Sequence, residues 1–275
     1  MLISLRLELL KVMRKSRTYI GPAALSLLII AMLVGMKHGH EFQYMRRRLE
    51  QDFIVAGSFV NAAFLVRFLL EGITYTFLPL FACMVCGDLI ASEAADGTLR
   101  TLLCRPVTRM RVAISKYAVA IMYVLGLTFG IGLLAYMAGW AYLGRGSLVV
   151  LSKGVWIYPE HEAILRLLKA YALVACGMVS LGSIAFAIST FLSNSNGAIA
   201  AAMGLLYGSA VIGEIEYFAK IKPYLLTTQM EMWRDFFTGV PDAHALTKAV
   251  AIMAAYSVGA LVIGLVIFHR RDVLS

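Results

Sequence analysis

Charged residues are few in this chain, and that shortage excludes most soluble folds. Of 275 residues only 15% are Asp, Glu, Lys or Arg, against 60% hydrophobic. A soluble domain is nearer a quarter charged and half apolar. Cysteine is scarce as well. The four present are Cys83, Cys86, Cys104 and Cys176. The Cys83-x-x-Cys86 spacing falls in an apolar run, without the water access and further ligands that a redox or zinc site needs. These thiols read as small packing residues. No Ser-His-Asp, His-Glu-x-x-His or paired-carboxylate constellation is recognisable, and no glycine-rich phosphate loop ending in Gly-Lys-Ser or Gly-Lys-Thr occurs. Neither a catalytic site nor a cofactor site is recognisable in the chain.

What is abundant is apolar sequence in runs long enough to cross a bilayer. About six runs approach the roughly 20 residues that a membrane helix needs. They lie near Tyr19–Met36, Phe68–Ala91, Val112–Leu143, Leu167–Leu192, Gly197–Ile212 and Ala249–Phe268. They lack the ten-residue alternation of a membrane barrel, so the expected fold class is an all-α polytopic membrane protein with six transmembrane helices. Residues 1–275 read as one transmembrane domain. The stretch Phe53–Val66 is also apolar and reads as an outer, partly buried lead-in to the second span. At its end Arg67 and Glu71 stand four apart, spaced to pair on one helical face.

Basic residues orient the chain. Arg6, Lys11, Arg14, Lys15 and Arg17 precede the first span against a single Glu8. Arg100, Arg105, Arg109, Arg111 and Lys116 cluster between the second and third spans, and Arg270 and Arg271 follow the sixth. Six spans put all three groups on one side, and the positive-inside rule makes that side cytoplasmic, both termini included. The net charge of +9 is thus mostly topology, and its hugging of membrane boundaries argues against a nucleic-acid partner. The first apolar run starts late, is span-length and lacks a small-residue cleavage site, so it is not a removable signal. Before it, Leu2, Leu5, Leu9, Val12 and Met13 share one helical face, with Ser4, Glu8, Lys11 and Lys15 on the other. That pattern suits an interfacial elbow helix over 1–17 lying in the headgroup layer of the bilayer, or simply a basic flank.

The connector from 92 to 109 carries its residues in a definite order. Ser92 and Glu93 fit a helix start, Leu99, Leu102 and Leu103 form an apolar strip, and Gly97 permits a bend. Pro106 ends the short helix, and Thr108 is placed to cap the third span. The expectation is a short helix lying across the mouth between two spans; an orderly interfacial loop is the alternative. Asp88 lies deepest in a span among the ionisable residues. Such a residue is either a functional intramembrane polar site or a boundary group pairing with Arg100 or Lys116.

Glu93, Gly97-Thr98-Leu99, Leu102-Leu103, Pro106, Thr108-Arg109 and Lys116 together resemble the signature of permease subunits of type-2 ABC exporters. The basic elbow, the six spans and a long outer segment before the last span extend the likeness over most of the chain. The resemblance implies a prokaryotic plasma-membrane permease, working beside a second permease, identical or paralogous, and two copies of a cytoplasmic ABC ATPase. ATP and magnesium would be bound by the ATPase. A coupling helix would dock into it, with Glu93, Asp96, Gly97, Thr98, Leu99, Arg100, Leu103, Pro106 and Arg109 forming the coupling element. The outer loop from Lys37 to Arg67 is longer than the simplest members need.

Several features stay open at the level of sequence. The segment 213–247, with Tyr217, Phe218, Tyr224, Trp233, Phe236 and Phe237, reads either as an outer surface loop with interfacial anchors or as a re-entrant lid. Gly126 and Gly130, and Gly204 and Gly208, have the spacing of close helix contacts, within one subunit or at a dimer seam. His38, His40 and Glu41 offer an outer metal site, and 14 methionines leave a copper path open. Spans without a dense polar lining lean towards amphipathic, lipidic or peptide-like cargo. Two other classes compete with transport. One is a membrane enzyme acting on a lipid or lipid-linked substrate, for which Glu160, His161 and Glu162 are the scattered candidates; the other is a membrane anchor or sensor recruiting a cytoplasmic partner.

Overall fold

The computed structural model describes residues 2–38, 60–97, 108–151, 154–239 and 241–270. Helix α1 (Leu2–Arg14) leads into α2 (Ser16–His38), followed by α3 (Ala62–Ile73), α4 (Phe77–Ala95) and α5 (Arg109–Leu143). A hairpin of β1 (Leu148–Leu151) and β2 (Val155–Tyr158) precedes α6 (Glu160–Phe191), α7 (Ser195–Glu214), the short α8 (Leu226–Glu231) and α9 (Ala243–Arg270). Six of these helices, α2, α4, α5, α6, α7 and α9, are long and apolar enough to cross a membrane. The protein is an all-α polytopic membrane protein. Its spans run alternately between a face bearing the 92–109 connector and the opposite, far face.

Helix α6 is the centre of the bundle. In its apolar window 72% of residues are buried, against 28% for α2, 17% for α7 and 11% for α9, which therefore form the outer rim of the bundle. Small residues let neighbours approach it, because lipid supplies no hydrophobic force between helices and close packing must do the work. Gly182 faces the Cys86 sulfur of α4, and Gly264 of α9 lies over the Ala187 backbone. The Ser180 hydroxyl donates to the Met253 carbonyl at 2.7 Å and accepts from Ser257 at 3.1 Å, tying α6 to α9. Cys83 and Cys86 are buried packing residues without a disulfide. Gly126, Gly130, Gly204 and Gly208 have nothing within 4 Å of an added Cβ, so among the described residues they make no close contact inside the subunit.

Two features depart from the sequence expectations. The second span does not run unbroken from Phe68: α3 ends at Ile73, residues 74–76 turn, and α4 starts at Phe77. Eight of the twelve residues of α3 are buried. It is a lead-in helix, capped by the Asn61 side chain accepting from Phe64 N–H at 3.0 Å. The hairpin was not anticipated, since four-residue strands carry little periodic signal; it pairs Leu148 with Tyr158 and Leu151 with Val155. The 213–247 segment, left open between a surface loop and a re-entrant lid, is mixed, with Tyr217 and Tyr224 exposed. Trp233 and Phe237 are fully buried, and Arg166 of α6 holds the Gly239 carbonyl at 2.9 Å.

Pro22 sits inside α2, where it has no N–H for the Thr18 carbonyl one turn back. The Tyr123 hydroxyl of α5 donates to that carbonyl at 3.2 Å, and Gly21 lets the Phe81 ring and Tyr123 close in. Replacing Tyr123→Phe should cost about 1 kcal/mol of thermal or denaturant stability in detergent, the scale of one buried hydrogen bond. In a Pro22→Ala background the restored N–H takes over the Thr18 carbonyl, and the same change should cost clearly less. Equal losses in both backgrounds would reject this account.

Candidate functional site

The connector face gathers the buried charges of the molecule. Lys116, in the second turn of α5, is 1% exposed. Its ammonium donates to Glu93 Oε1 at 2.7 Å and to Glu8 Oε2 at 2.9 Å. Lys11 spans the same two carboxylates, at 3.3 Å each. Burial draws the Lys11 ammonium down, but the carboxylates of Glu93 and Glu8 outweigh it and hold it above the ordinary lysine range. The node joins α1, the last turn of α4 and the start of α5. Glu8 was expected on the polar face of an elbow helix in the headgroup layer. It is 6% exposed instead, because Lys116 draws it inward, while Leu7, Leu10 and Met13 face outward.

A second node lies beside it. Asp88 accepts from Lys15 at 2.7 Å, from Arg17 at 3.0 Å and from the Ser195 hydroxyl at 2.6 Å. Lys15 also reaches Ser92 Oγ at 2.9 Å. The expected pairing of Asp88 with Lys116 does not occur, since Lys116 is taken by Glu8 and Glu93; Arg100 lies outside the described residues. Three helices thus meet at one carboxylate: α4 through Asp88, the start of α2 through Arg17, and the start of α7 through Ser195. A polar cavity of about 520 Å³ opens here, lined among others by Lys15, Asp88, Asp96 and Asn196.

Of the nine connector residues singled out in sequence, four are described. Glu93 is in the charged node. It and Ser92 belong to the final turn of α4 rather than to a helix start: the apolar run of α4 carries its helix one turn further than the polar residues suggested. Asp96 caps that helix end, its N–H bonded to the Ser92 carbonyl at 2.9 Å. Gly97 takes φ 67° and its N–H reaches the Ala94 carbonyl; this is the left-handed residue that commonly closes a helix and that glycine adopts without strain. Arg109 opens α5 behind Thr108 at the N-cap position. Thr98, Leu99, Arg100, Leu103 and Pro106 lie outside the described residues. The members of the two nodes that the sequence did not single out as site residues are Glu8, Lys15, Arg17 and Ser195; only the amphipathic spacing of Glu8, Lys11 and Lys15 hinted at three positions on one face.

The profile of the family described as "ABC-2 family transporter protein" matches residues 2–273. The chain belongs to this family. Proteins of this family are membrane components of transport. The uncharacterized protein YhcI of Bacillus subtilis (strain 168) is 22% identical over 204 residues, covering 71% of this chain and 64% of that protein. The match thus spans less than two thirds of that relative's length.

Other candidates from the sequence resolve differently in this ABC-2 protein. Glu160 accepts from Tyr136 at 3.3 Å and pairs with Arg145 at 3.5 Å, and Glu162 pairs with Arg166 at 2.8 Å. The carboxylates point to separate partners and do not converge as acid–base pairs do. Arg67 and Glu71 meet at 3.9 Å. His40, Glu41 and Cys104 lie outside the described residues; among those described, no three His, Cys, Asp or Glu side chains form a metal-holding group.

Truncating Lys116→Ala leaves the buried Glu8 and Glu93 with only the half-exposed Lys11, 3.3 Å from each, to offset them. That should cost about 3–5 kcal/mol, as for breaking other buried pairs. Lys11→Ala, whose side chain is 48% exposed, should cost less than about 1 kcal/mol. Denaturant titration of both variants in detergent checks the contrast, and similar losses would show that Lys116 is not the keystone of the node.

Proposed function

We propose that this chain is the permease subunit of an ATP-driven exporter, moved by a separate cytoplasmic ABC ATPase through the connector face. The observation that carries the reading is the Glu8–Lys116–Glu93 node. It fastens the last turn of α4 to α1 and α5 immediately before Gly97, where the connector leaves the helix. A push on residues 98–107 would be delivered to three helices as one block rather than absorbed in a loose hinge. Asp88 and Ser195 would pass it on to α7 and, through Arg17, to α2. The cluster of Arg6, Lys11, Arg14, Lys15, Arg17, Arg109, Arg111 and Lys116 on this face supports placing it, with both termini, in the cytoplasm of a prokaryotic cell. Two ATPase copies carrying ATP and magnesium, and a second permease, identical or paralogous, complete the assembly by the family likeness.

The test is purification of the tagged chain in mild detergent, with mass spectrometry of what accompanies it and transport assays in vesicles. A stoichiometric soluble protein carrying a phosphate-loop ATPase motif is expected. Gly97→Val puts a β-branched residue at positive φ, and Glu93→Arg sets a cation beside Lys116. Both should keep the spans inserted, while ATP-driven transport falls by about tenfold or more and ATP hydrolysis continues. A stable preparation with no ATPase, or full transport by both variants, would overturn the proposal. The membrane-enzyme and anchor readings would then come forward.

A further inference from the structure

Far from the charged nodes, α3, α5 and α6 enclose an apolar groove of about 280 Å³. Gly132 forms part of its floor: a Cβ there would stand 2.7 Å from the Tyr171 ring, so the ring rests on bare backbone. The lips are Leu133 and Leu168, 62% and 56% exposed on spanning helices, which turns the opening towards lipid rather than towards the bundle. A recess facing hydrocarbon is filled by chains, because an empty one forfeits dispersion contacts along its lining. Its volume is at the small end for ligand sites and suits a chain segment, and its lining offers no charged group to a headgroup.

One end of the groove is polar. Tyr136 lines it, and the Tyr136 hydroxyl donates to Glu160, which stands 3.5 Å from Arg145. Arg145 lies over the Trp140 ring at 4.2 Å. Trp140 beneath it is exposed, as are Tyr142 in the last turn of α5 and Trp156 in β2, the ring types that settle at a membrane–water interface. Both charged side chains stay partly open, 53% for Arg145 and 38% for Glu160. An apolar slot thus leads up to one cation and one anion side by side at headgroup level. Side by side at one level, the two charges can meet the phosphate and the ammonium of a zwitterionic headgroup lying flat along the interface.

We propose that this groove is a binding site for a phospholipid with an amine headgroup, one acyl chain lying between α5 and α6 in the leaflet away from the connector. The site is independent of the transport reading and stands if no ATPase is found.

The test uses the chain, with its co-purifying partners, in nanodiscs doped with phosphatidylethanolamine bearing a photoreactive diazirine in one acyl chain. A phosphatidylglycerol analogue serves as the second probe. Peptide mapping should place the ethanolamine-probe crosslinks mainly in 129–136 and 164–171. Filling the slot with Leu133→Trp and Leu168→Trp, both lipid-facing and tolerant of the change, should lower these crosslinks about tenfold. Labelling around Leu27, 71% exposed on α2, should stay the same. Arg145→Ala should keep the groove labelled and remove the preference for ethanolamine. Labelling spread evenly over the exposed helices, or unchanged by the tryptophans, is the mark of passing annular lipid and overturns the site. Stronger labelling by the glycerol probe overturns the headgroup assignment.

Discussion

An ammonium group at the edge of a hydrocarbon layer must be surrounded by acceptors, because burying it alone costs far more than one protein contact returns. Lys116 meets that constraint with two carboxylates, from Glu8 and Glu93. The geometry of the connector face follows. Glu8 must turn inward, which rotates α1 so that Leu7, Leu10 and Met13 point away from the protein. Glu93 must remain helical to reach the lysine, so α4 continues to Ala95 and the chain turns only at Gly97.

The same logic, at smaller scale, organises the bundle. Within the membrane region the helices gain little from hydrophobicity when they touch, so contact is decided by shape and by stray polar groups. Gly177, Ser180 and Gly182 on α6 accept Met230, Met253 and Cys86 from three neighbouring elements. The carbonyl orphaned by Pro22 finds a hydroxyl on α5. Polar atoms in the spans therefore act as registration points, each setting the height of one helix against another.

Much of the fold could be read along the chain. The six spans, the lead-in before the second and the Arg67–Glu71 pair all rest on local patterns. The candidate site was legible in part: Glu93 and Lys116 stood out through the family likeness, and Asp88 through its depth. Their partners did not. Ser92 and Glu93 suggested a helix start because polar residues favour first turns, whereas the apolar face of α4 and the pull of Lys116 carried the helix past them.

The sequence by itself determined the membrane class, the number of crossings and the face on which the basic residues collect. Those depend on apolar run length and on charges counted between runs, and hydrogen-bond satisfaction within each helix requires nothing from elsewhere. Only the tertiary structure decided which charge meets which. Lys116 and Glu8 are 108 positions apart, and Lys15 and Asp88 are 73 apart. Ion pairing falls off within a few ångströms once water screens it, so such partners are fixed by how helices rotate and dock. That rotation comes from burying every charged and glycine-bearing face at once, a condition no single segment carries.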